Sequence, residues 1–259
     1  MPNSIKSPTA PTLRVATANL NNCGDWSHPK KIEHFIHALI YELNFPHVIA
    51  LQEIGGTATV PNQPVVATVG REITQKILQL SGAHYQYLEI PPLPQSTGGA
   101  EDANIRSAFL LLKEGPKPSR STFAPMPLTL NILELSTLGE DCPAFKGDSI
   151  EGTKPSRKPL LLHLMINNGE QKRELQLINC HLKSKNSSSR DEERLAKRQR
   201  NSQAHSIIKA LKERGREIPT IILGDFNDTP NSDTLRILQS TGLTSLWKDY
   251  KGRIYTLKH

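Results

Sequence analysis

Four short apolar runs, far apart in the chain, each stop at a residue able to do chemistry, and this repetition narrows the possible folds more than any other feature. The clearest is Ile221-Ile222-Leu223, which breaks at Gly224 and delivers Asp225-Phe226-Asn227-Asp228. An apolar run ending in Gly-Asp-x-Asn reads as a buried strand opening into a polar loop, where open sheets place their chemistry. Asp225 and Asn227 are then expected to point the same way, because side chains alternate along an extended segment. Gly, Asp, Asn and Pro are also ordinary turn formers, so the same residues suit a plain turn. Recurrence of the pattern favours the strand end: Leu13 to Leu20 reaches Asn19, Pro46 to Gln52 reaches Glu53, and Leu175 to Cys180 reaches His181.

A chain of 259 residues with 36% hydrophobic and 22% charged residues can bury a sizeable core. The formal charge of +7 favours polyanionic partners, nucleic acid foremost, or anionic lipid surfaces. Cys23, Cys142 and Cys180 are odd in number and in no metal-ligand spacing, which argues against a disulfide framework and a zinc site. Cys180 is expected as a small buried hydrophobe. Residues 1–12, with three prolines, read as a flexible leader, and order is expected from Leu13, with 13–259 forming the folded domain. No apolar signal segment opens the chain and no run approaches the roughly 18 apolar residues of a membrane span. The expectation is a soluble cytoplasmic protein with no obligate protein partner evident and an oligomeric state left open.

Between the strand ends the pattern alternates. After Ser27, a candidate N-cap with Pro29 just inside, Ile32, Phe35, Ile36, Leu39, Ile40 and Leu43 fall at helical spacing, with His34 and His37 on the solvent side. Residues 57–69 read as loop, and 71–80 as a helix closing at Gly82. Strands are expected over 85–90 and 107–112. The stretch 113–158, with six prolines, reads as short strands and a long surface excursion. A hairpin is expected at Asn167-Asn168-Gly169 between strands 160–166 and 175–180. A long basic helix follows over 191–214, most of its charges forming a solvated face, and a last helix is capped by Asn231 or Ser232. One hairpin among alternating helices and strands implies mixed sheets covered by helices, with two packed sheets.

Asn19, Glu53, His181 and the Asp225/Asn227 pair, with Lys183 and Lys185 beside the histidine, form an oxygen-rich donor set without thiolates. Such a set suits a hard cation, Mg²⁺ or Mn²⁺. Phosphodiester hydrolysis needs an activated water, neutralisation of the non-bridging oxygens and help for the leaving group, and each requirement has a candidate here.

In this order the motifs Thr17-Ala18-Asn19-Leu20-Asn21, Ala50-Leu51-Gln52-Glu53, Asn179-Cys180-His181-Leu182-Lys183-Ser184-Lys185 and Leu223-Gly224-Asp225-Phe226-Asn227-Asp228 resemble the endonuclease/exonuclease/phosphatase family. That family includes pancreatic deoxyribonuclease, apurinic-site endonucleases, inositol polyphosphate phosphatases and bacterial sphingomyelinases. The His-Leu-Lys-Ser-Lys form, with Arg200 and Gln203-Ala204, looks most like its bacterial nucleases. The resemblance implies a four-layer α/β/β/α sandwich and a metal-dependent phosphoesterase. By the same resemblance Glu53 and Asn19 are the metal site, Asp225 and Asn227 position nucleophile and phosphate, and His181 contacts phosphate. Lys183, Arg106 and Arg157 are expected phosphate-binding groups.

The chain departs from the family's pattern after Asp225, where the closing Asp-His motif and its final strand are expected but not found. Either Leu257-Lys258-His259 stands for that motif, making His259 the acid/base residue, or Arg253-Ile254-Tyr255-Thr256 matches the region just before it. Both readings leave the C-terminal strand missing and the hydrolytic activity impaired. The leading expectation is a nuclease acting on DNA or RNA. Its alternatives are a phosphomonoesterase or sphingomyelinase of the same fold, and a truncated phosphate-binding relative without turnover.

Overall fold

A computed structural model of the chain describes residues 12–99, 102–116, 128–139, 142–146, 155–215 and 217–246. The elements run β1 (Val15–Cys23), α1 (Pro29–His37) continued by a π-helical turn (Ala38–Glu42), β2 (Val48–Ile54), α2 (Thr68–Ser81), β3 (His84–Glu89), β4 (Arg106–Glu114) and β5 (Thr129–Thr137). Then follow α3 (Pro143–Lys146), β6 (Leu160–Asn167), β7 (Lys172–His181), α4 (Arg190–Glu213), β8 (Thr220–Asp225) and α5 (Asp233–Gln239). They build two four-stranded sheets, ordered β1-β2-β4-β3 and β5-β6-β7-β8. Each sheet is antiparallel apart from one parallel pair at an edge, β1 with β2 and β7 with β8. A parallel pair needs a crossover, and here each crossover contains a helix, α1 or α4.

Alternation along the strands sorts the apolar residues into three layers. Ile49, Leu51, Ala108 and Leu110 face outward from the first sheet and meet Ile32, Ile36 and Leu39 of α1 and its π turn and Ile73 and Ile77 of α2. Val48, Ala50, Phe109, Leu111, Leu162, Leu164, Leu175 and Leu177 fill the space between the sheets. Leu161, Ile178, Cys180 and Leu182 face outward from the second sheet against Ala204, Ile207 and Ile208 of α4 and Leu238 of α5. The result is the expected four-layer α/β/β/α sandwich with two packed mixed sheets. Burying each large aliphatic side chain of these layers stabilises the fold by about 1.5–3 kcal/mol.

Several local expectations shift for physical reasons. The N-cap of α1 is His28, whose Nδ1 accepts the Lys30 N–H, while Ser27 closes the preceding turn by accepting the Gly24 N–H. Helix α2 starts at Thr68, three residues before the sequence pattern, because Asp25 from the loop after β1 accepts the Val69 N–H and the Thr68 hydroxyl. Its end is as read, with Gly82 in the left-handed conformation at φ 74°. The stretch read as short strands and an excursion holds, among its described residues, the nine-residue strand β5. Its register slips between Ile132 and Glu134, so Leu130 and Ile132 share the inter-sheet layer with Leu135 while Leu133 is left exposed. The flexible leader, residues 1–11 of it, and the Arg253 to His259 alignments lie outside the described residues. No helix among the described residues is long and apolar enough to cross a membrane.

Candidate active site

The inter-sheet faces of the two parallel pairs change character from one end to the other. They begin apolar, with Val15, Val48, Leu175, Leu177, Ile221 and Leu223, and pass through a hydrogen-bonded amide layer before reaching charged groups. In the amide layer Gln52, 1% exposed, donates to Asn179 Oδ1 at 2.7 Å and to the Thr17 hydroxyl at 3.1 Å. Asn179, fully buried, donates across the sandwich to the carbonyls of Leu51 at 2.9 Å and Ala108 at 2.8 Å. Amides in an apolar interior persist only when paired, so this layer fixes the mutual register of the two sheets immediately beneath the strand ends.

Above it, Asn19 Nδ2 donates to Glu53 Oε1 at 2.9 Å and to Asp225 Oδ2 at 2.9 Å, one amide spanning both sheets. Its orientation is set from behind, because Asn19 Oδ1 accepts the Asn21 N–H at 2.8 Å. Glu53 Oε2 accepts the Asn22 N–H at 2.8 Å, and Oε1 lies 3.5 Å from His181 Nε2. Glu53, His181 and Asp225 each offer a ligand atom within 4.8 Å of one another. Two carboxylates this close repel unless a donor or a cation stands between them. The donor set, rich in oxygen with one imidazole, fits a divalent cation of the hard class.

The two sheets deliver these groups by different means. On the second sheet the parallel register pairs His181 with Asp225 directly, and Gly224 opposite Cys180 allows it. Gly224 has φ 120°, and a Cβ there would sit 2.0 Å from the Cys180 carbonyl oxygen. On the first sheet Asn21, Asn22 and Glu53 all have left-handed φ, between 50° and 60°. Pairing of β2 with β4 slips between Leu51 and Ile54 at the same place. A left-handed glutamate is uncommon, and such strain concentrates at functional sites.

Around the cluster lies a cleft of about 640 Å³ whose wall includes Glu53, Arg157, His181, Lys183 and Asn227. Arg157 is 6% exposed and donates through Nη2 to the Leu182 carbonyl. Burial lowers its pKa to about 10 against the opposing pull of Glu53 and Asp225, so it stays charged at neutral pH. Burial, reinforced by Arg157, holds His181 well below the usual histidine range, and its ring is neutral there. Asn227 follows the end of β8 with φ 50°, so alternation does not carry to it. Its N–H closes an Asx turn onto Asp225 Oδ1 at 2.8 Å, and its side chain donates to Leu182 O. Turn and site are here the same residues.

Helix α4 holds the rim. Arg200, 3% exposed, reaches Asp228 at 3.3 Å and donates to the carbonyls of Lys183 and Ser184. Gln203 accepts the Lys183 N–H at 3.0 Å. Asp228 is pulled up by burial and more than pulled back by Lys185 and Thr234, to a pKa of about 2. Lys185 is thereby engaged at 2.7 Å by that carboxylate.

No family model matches the chain, and no curated protein sequence does. Solved structures do. The human Nocturnin catalytic domain, solved with a bound sulfate anion, superposes with a TM-score of 0.56 at 14% identity, covering 92% of this chain and 73% of that one. An endonuclease/exonuclease/phosphatase family protein from Bacteroides thetaiotaomicron gives 0.53 at 16% identity, covering 90% and 70%. A β-hairpin deletion mutant of beta toxin from Staphylococcus aureus gives 0.50 at 10%, covering 88% and 72%. The chain has the endonuclease/exonuclease/phosphatase fold.

This fold gathers Asn19, Glu53, His181, Lys183, Asp225, Asn227 and Arg157 at one end of the sandwich. Arg106, expected at the phosphate, lies elsewhere: it is buried, 3.4 Å from Glu89, and donates to the Val65 carbonyl at 2.7 Å. As the first residue of a strand flanked on both sides, it is drawn into the wall between β3 and the loop before α2. Asn19 turns its nitrogen to the carboxylates, so it tethers them. His259, the expected acid/base residue, lies outside the described residues. Sequence reasoning gave no role to Gln52 and Asn179, although both sit inside the family motifs, one residue before Glu53 and two before His181.

Proposed function

We infer that this chain is a metal-dependent phosphoesterase whose substrate is a nucleic-acid phosphodiester. The observation that carries the reading is the convergence of Glu53, Asp225 and His181 beside the fixed charge of Arg157. Glu53 and Asp225, with His181 at their side, would hold Mg²⁺ or Mn²⁺. A bound cation of that kind neutralises non-bridging phosphate oxygens and lowers the pKa of its water.

The chain's own groups supply the rest. Arg157, held by the Leu182 carbonyl, presents a positive charge that needs no reorganisation when a phosphate arrives. Lys183 adds a second cation on the cleft wall, its backbone clamped by Gln203 and Arg200. Neutral His181 can donate or accept a hydrogen bond at the phosphate without repelling Arg157. Asp225, oriented by Asn19 and by the Asn227 N–H, would hold or deprotonate the attacking water from beside the cation.

Two features support nucleic acid over a small phosphate ester. One is the formal charge of +7. The other is Trp26, half exposed in the loop after β1, whose ring lies over Gly24 and over Gly55, two residues past Glu53. A Cβ at either glycine would meet the indole at 2.6 Å, so both glycines serve to seat it. A fixed, half-exposed aromatic face seated two residues past Glu53 can stack bases at about 1–3 kcal/mol each.

The test is cleavage of supercoiled plasmid by the purified chain with Mg²⁺, against EDTA and a Glu53→Ala/Asp225→Ala variant. Cleavage that needs both the metal and the carboxylates is expected. Folded protein that leaves DNA and RNA intact but hydrolyses a small or lipid phosphate ester would replace this reading with the phosphomonoesterase or sphingomyelinase one.

A further inference from the structure

Trp26 is 50% exposed, yet the turn that carries it is tied down on both sides of the ring. The Ser27 N–H donates to the Gly24 carbonyl at 2.8 Å, the Gly24 N–H to Ser27 Oγ at 3.0 Å, and Ser27 Oγ to the Asn22 carbonyl at 3.3 Å. On the other side Asp25 Oδ1 accepts the Thr68 hydroxyl and the Val69 N–H, 43 and 44 positions away. Helix α2 has no side-chain cap at Ala67 and no acid in its first turn, so Asp25 caps it from outside.

The attitude of the ring follows from Gly24. A Cβ there would lie 2.6, 2.7 and 2.8 Å from Cη2, Cζ2 and Cζ3, three successive carbons of the six-membered ring. Distances so short and so nearly equal belong to a point above the face, not beyond the edge. One face therefore lies on the Gly24 backbone, and the exposure is left to the other. At Gly55 a Cβ would meet Cη2 and Cζ2 at 2.6 and 2.8 Å, which brings the ring's outer edge to within two residues of Glu53, at most about 7 Å of chain. Glu53 is itself held by the N–H of Asn22, two residues before Gly24. Ring and carboxylate are thus seated on the same two strand ends.

A ring lying flat on backbone is not a wedge, because a wedge enters a base step edge first. It can cover one face of a base, and only a base whose own face is free. Inside a duplex both faces are stacked on neighbours, whereas single strands and splayed ends offer theirs.

We propose that Trp26, positioned by Asp25, is a platform for one unstacked base beside the bond that is cut, so that the substrate is single-stranded nucleic acid. This rests on the nucleic-acid reading of the cleft. Asp25 acts through Trp26, and its charge makes the role separable from electrostatics. An exposed carboxylate beside a phosphate chain opposes binding, so deleting it should tighten the complex if charge alone counts and loosen it if the ring loses its seat.

The experiment uses the full chain with Trp247→Phe, which leaves Trp26 as its only tryptophan. A single strand of about ten nucleotides and the blunt duplex of the same sequence are titrated in EDTA, read by Trp26 emission and by the anisotropy of an end label. The single strand is expected to quench Trp26 and to bind about ten-fold tighter than the duplex. Trp26→Ala should weaken the single strand about ten-fold and erase the preference. Asp25→Ala should weaken it about three- to ten-fold, while Asp25→Asn, which keeps the accepting oxygen, should bind as well as the parent. In the Trp26→Ala chain, Asp25→Ala should change binding no further, although its cost to α2 in urea denaturation persists. Thr68→Val, at an exposed position, removes one of the two Asp25 contacts and serves should Asp25→Ala fail to fold, with about two- to three-fold weaker binding expected. Equal binding of strand and duplex, a preference that survives Trp26→Ala, tighter binding by Asp25→Ala, or folded protein that binds neither form would each overturn the inference. Cleavage with Mg²⁺ that needs Glu53 but ignores Trp26 would leave the nucleic-acid reading standing without this platform. Single-strand preference in a chain that cuts no phosphodiester would remove the cleft reading and leave the platform as a binding site.

Discussion

The two sheets share one plan and execute it differently. Each ends in a parallel pair bridged by a helix, and each contributes two groups to the same cluster. The second sheet keeps its regular register up to the last residue and places His181 beside Asp225 by alternation, at the cost of one obligatory glycine. The first loses register and turns left-handed at Asn21, Asn22 and Glu53 to bring its carboxylate round. One half of the site is built by regularity and the other by controlled distortion.

That contrast predicts where the halves are fragile. The largest effect is expected at Gly224, where Ala meets both a φ of 120° and the Cys180 carbonyl oxygen; a loss of about 3 kcal/mol or more should appear in urea denaturation. Asn179→Ala comes next, at about 2–4 kcal/mol, because it strands Gln52 and the Leu51 and Ala108 carbonyls in the interior. A double-mutant cycle with Gln52→Leu should return a coupling of about 1–2 kcal/mol. An additive result would mean that the sheets are not registered through this pair.

Cation binding asks whether the halves act as one site. At Mg²⁺ about 100-fold above its dissociation constant, wild-type stability should rise by about 2.7 kcal/mol. Glu53→Gln on one sheet, or Asp225→Asn on the other, should each abolish that gain. Retention of the gain in either variant would assign the ion to a single half.

The smallest effect concerns the rim of the second sheet. The folded pKa of Asp228, about 2, lies below its ordinary value of 3.8, so its contribution to stability is full above 3.8 and disappears as pH falls through about 2. Between pH 5 and pH 2 the wild type should therefore lose more stability than Asp228→Asn, by roughly 1–2 kcal/mol, in denaturant midpoints compared at each pH.

The same contrast explains what the sequence made legible. Alternation is local, so the strand ends at Asn19, Glu53, His181 and Asp225 could be read from the residues that precede them. What escaped depends on partners far away in the chain. Asp25 starts α2 from another loop, and the bulge at Leu133 breaks the alternation that would have revealed β5. Arg200 sits in a run of basic residues that solvates well on average, yet it turns inward because Asp228 and two carbonyls wait for it. Arg106 shows the converse, a polar position near a motif that Glu89 and the Val65 carbonyl draw away. The seating of Trp26 on two glycines had a trace in the sequence, the Gly24 and Gly55 that flank the first two strand ends, but only the fold brings them under one ring.

The Gln52–Asn179 bridge has a consequence for how such a molecule can change. Its two members are 127 positions apart and belong to opposite halves of the chain. Neither half can be exchanged with a homologous segment, or drift at this position, unless the other answers in the same step. A chimera joined between β4 and β5 should inherit a working cleft only when donor and recipient carry matching amides at these two places.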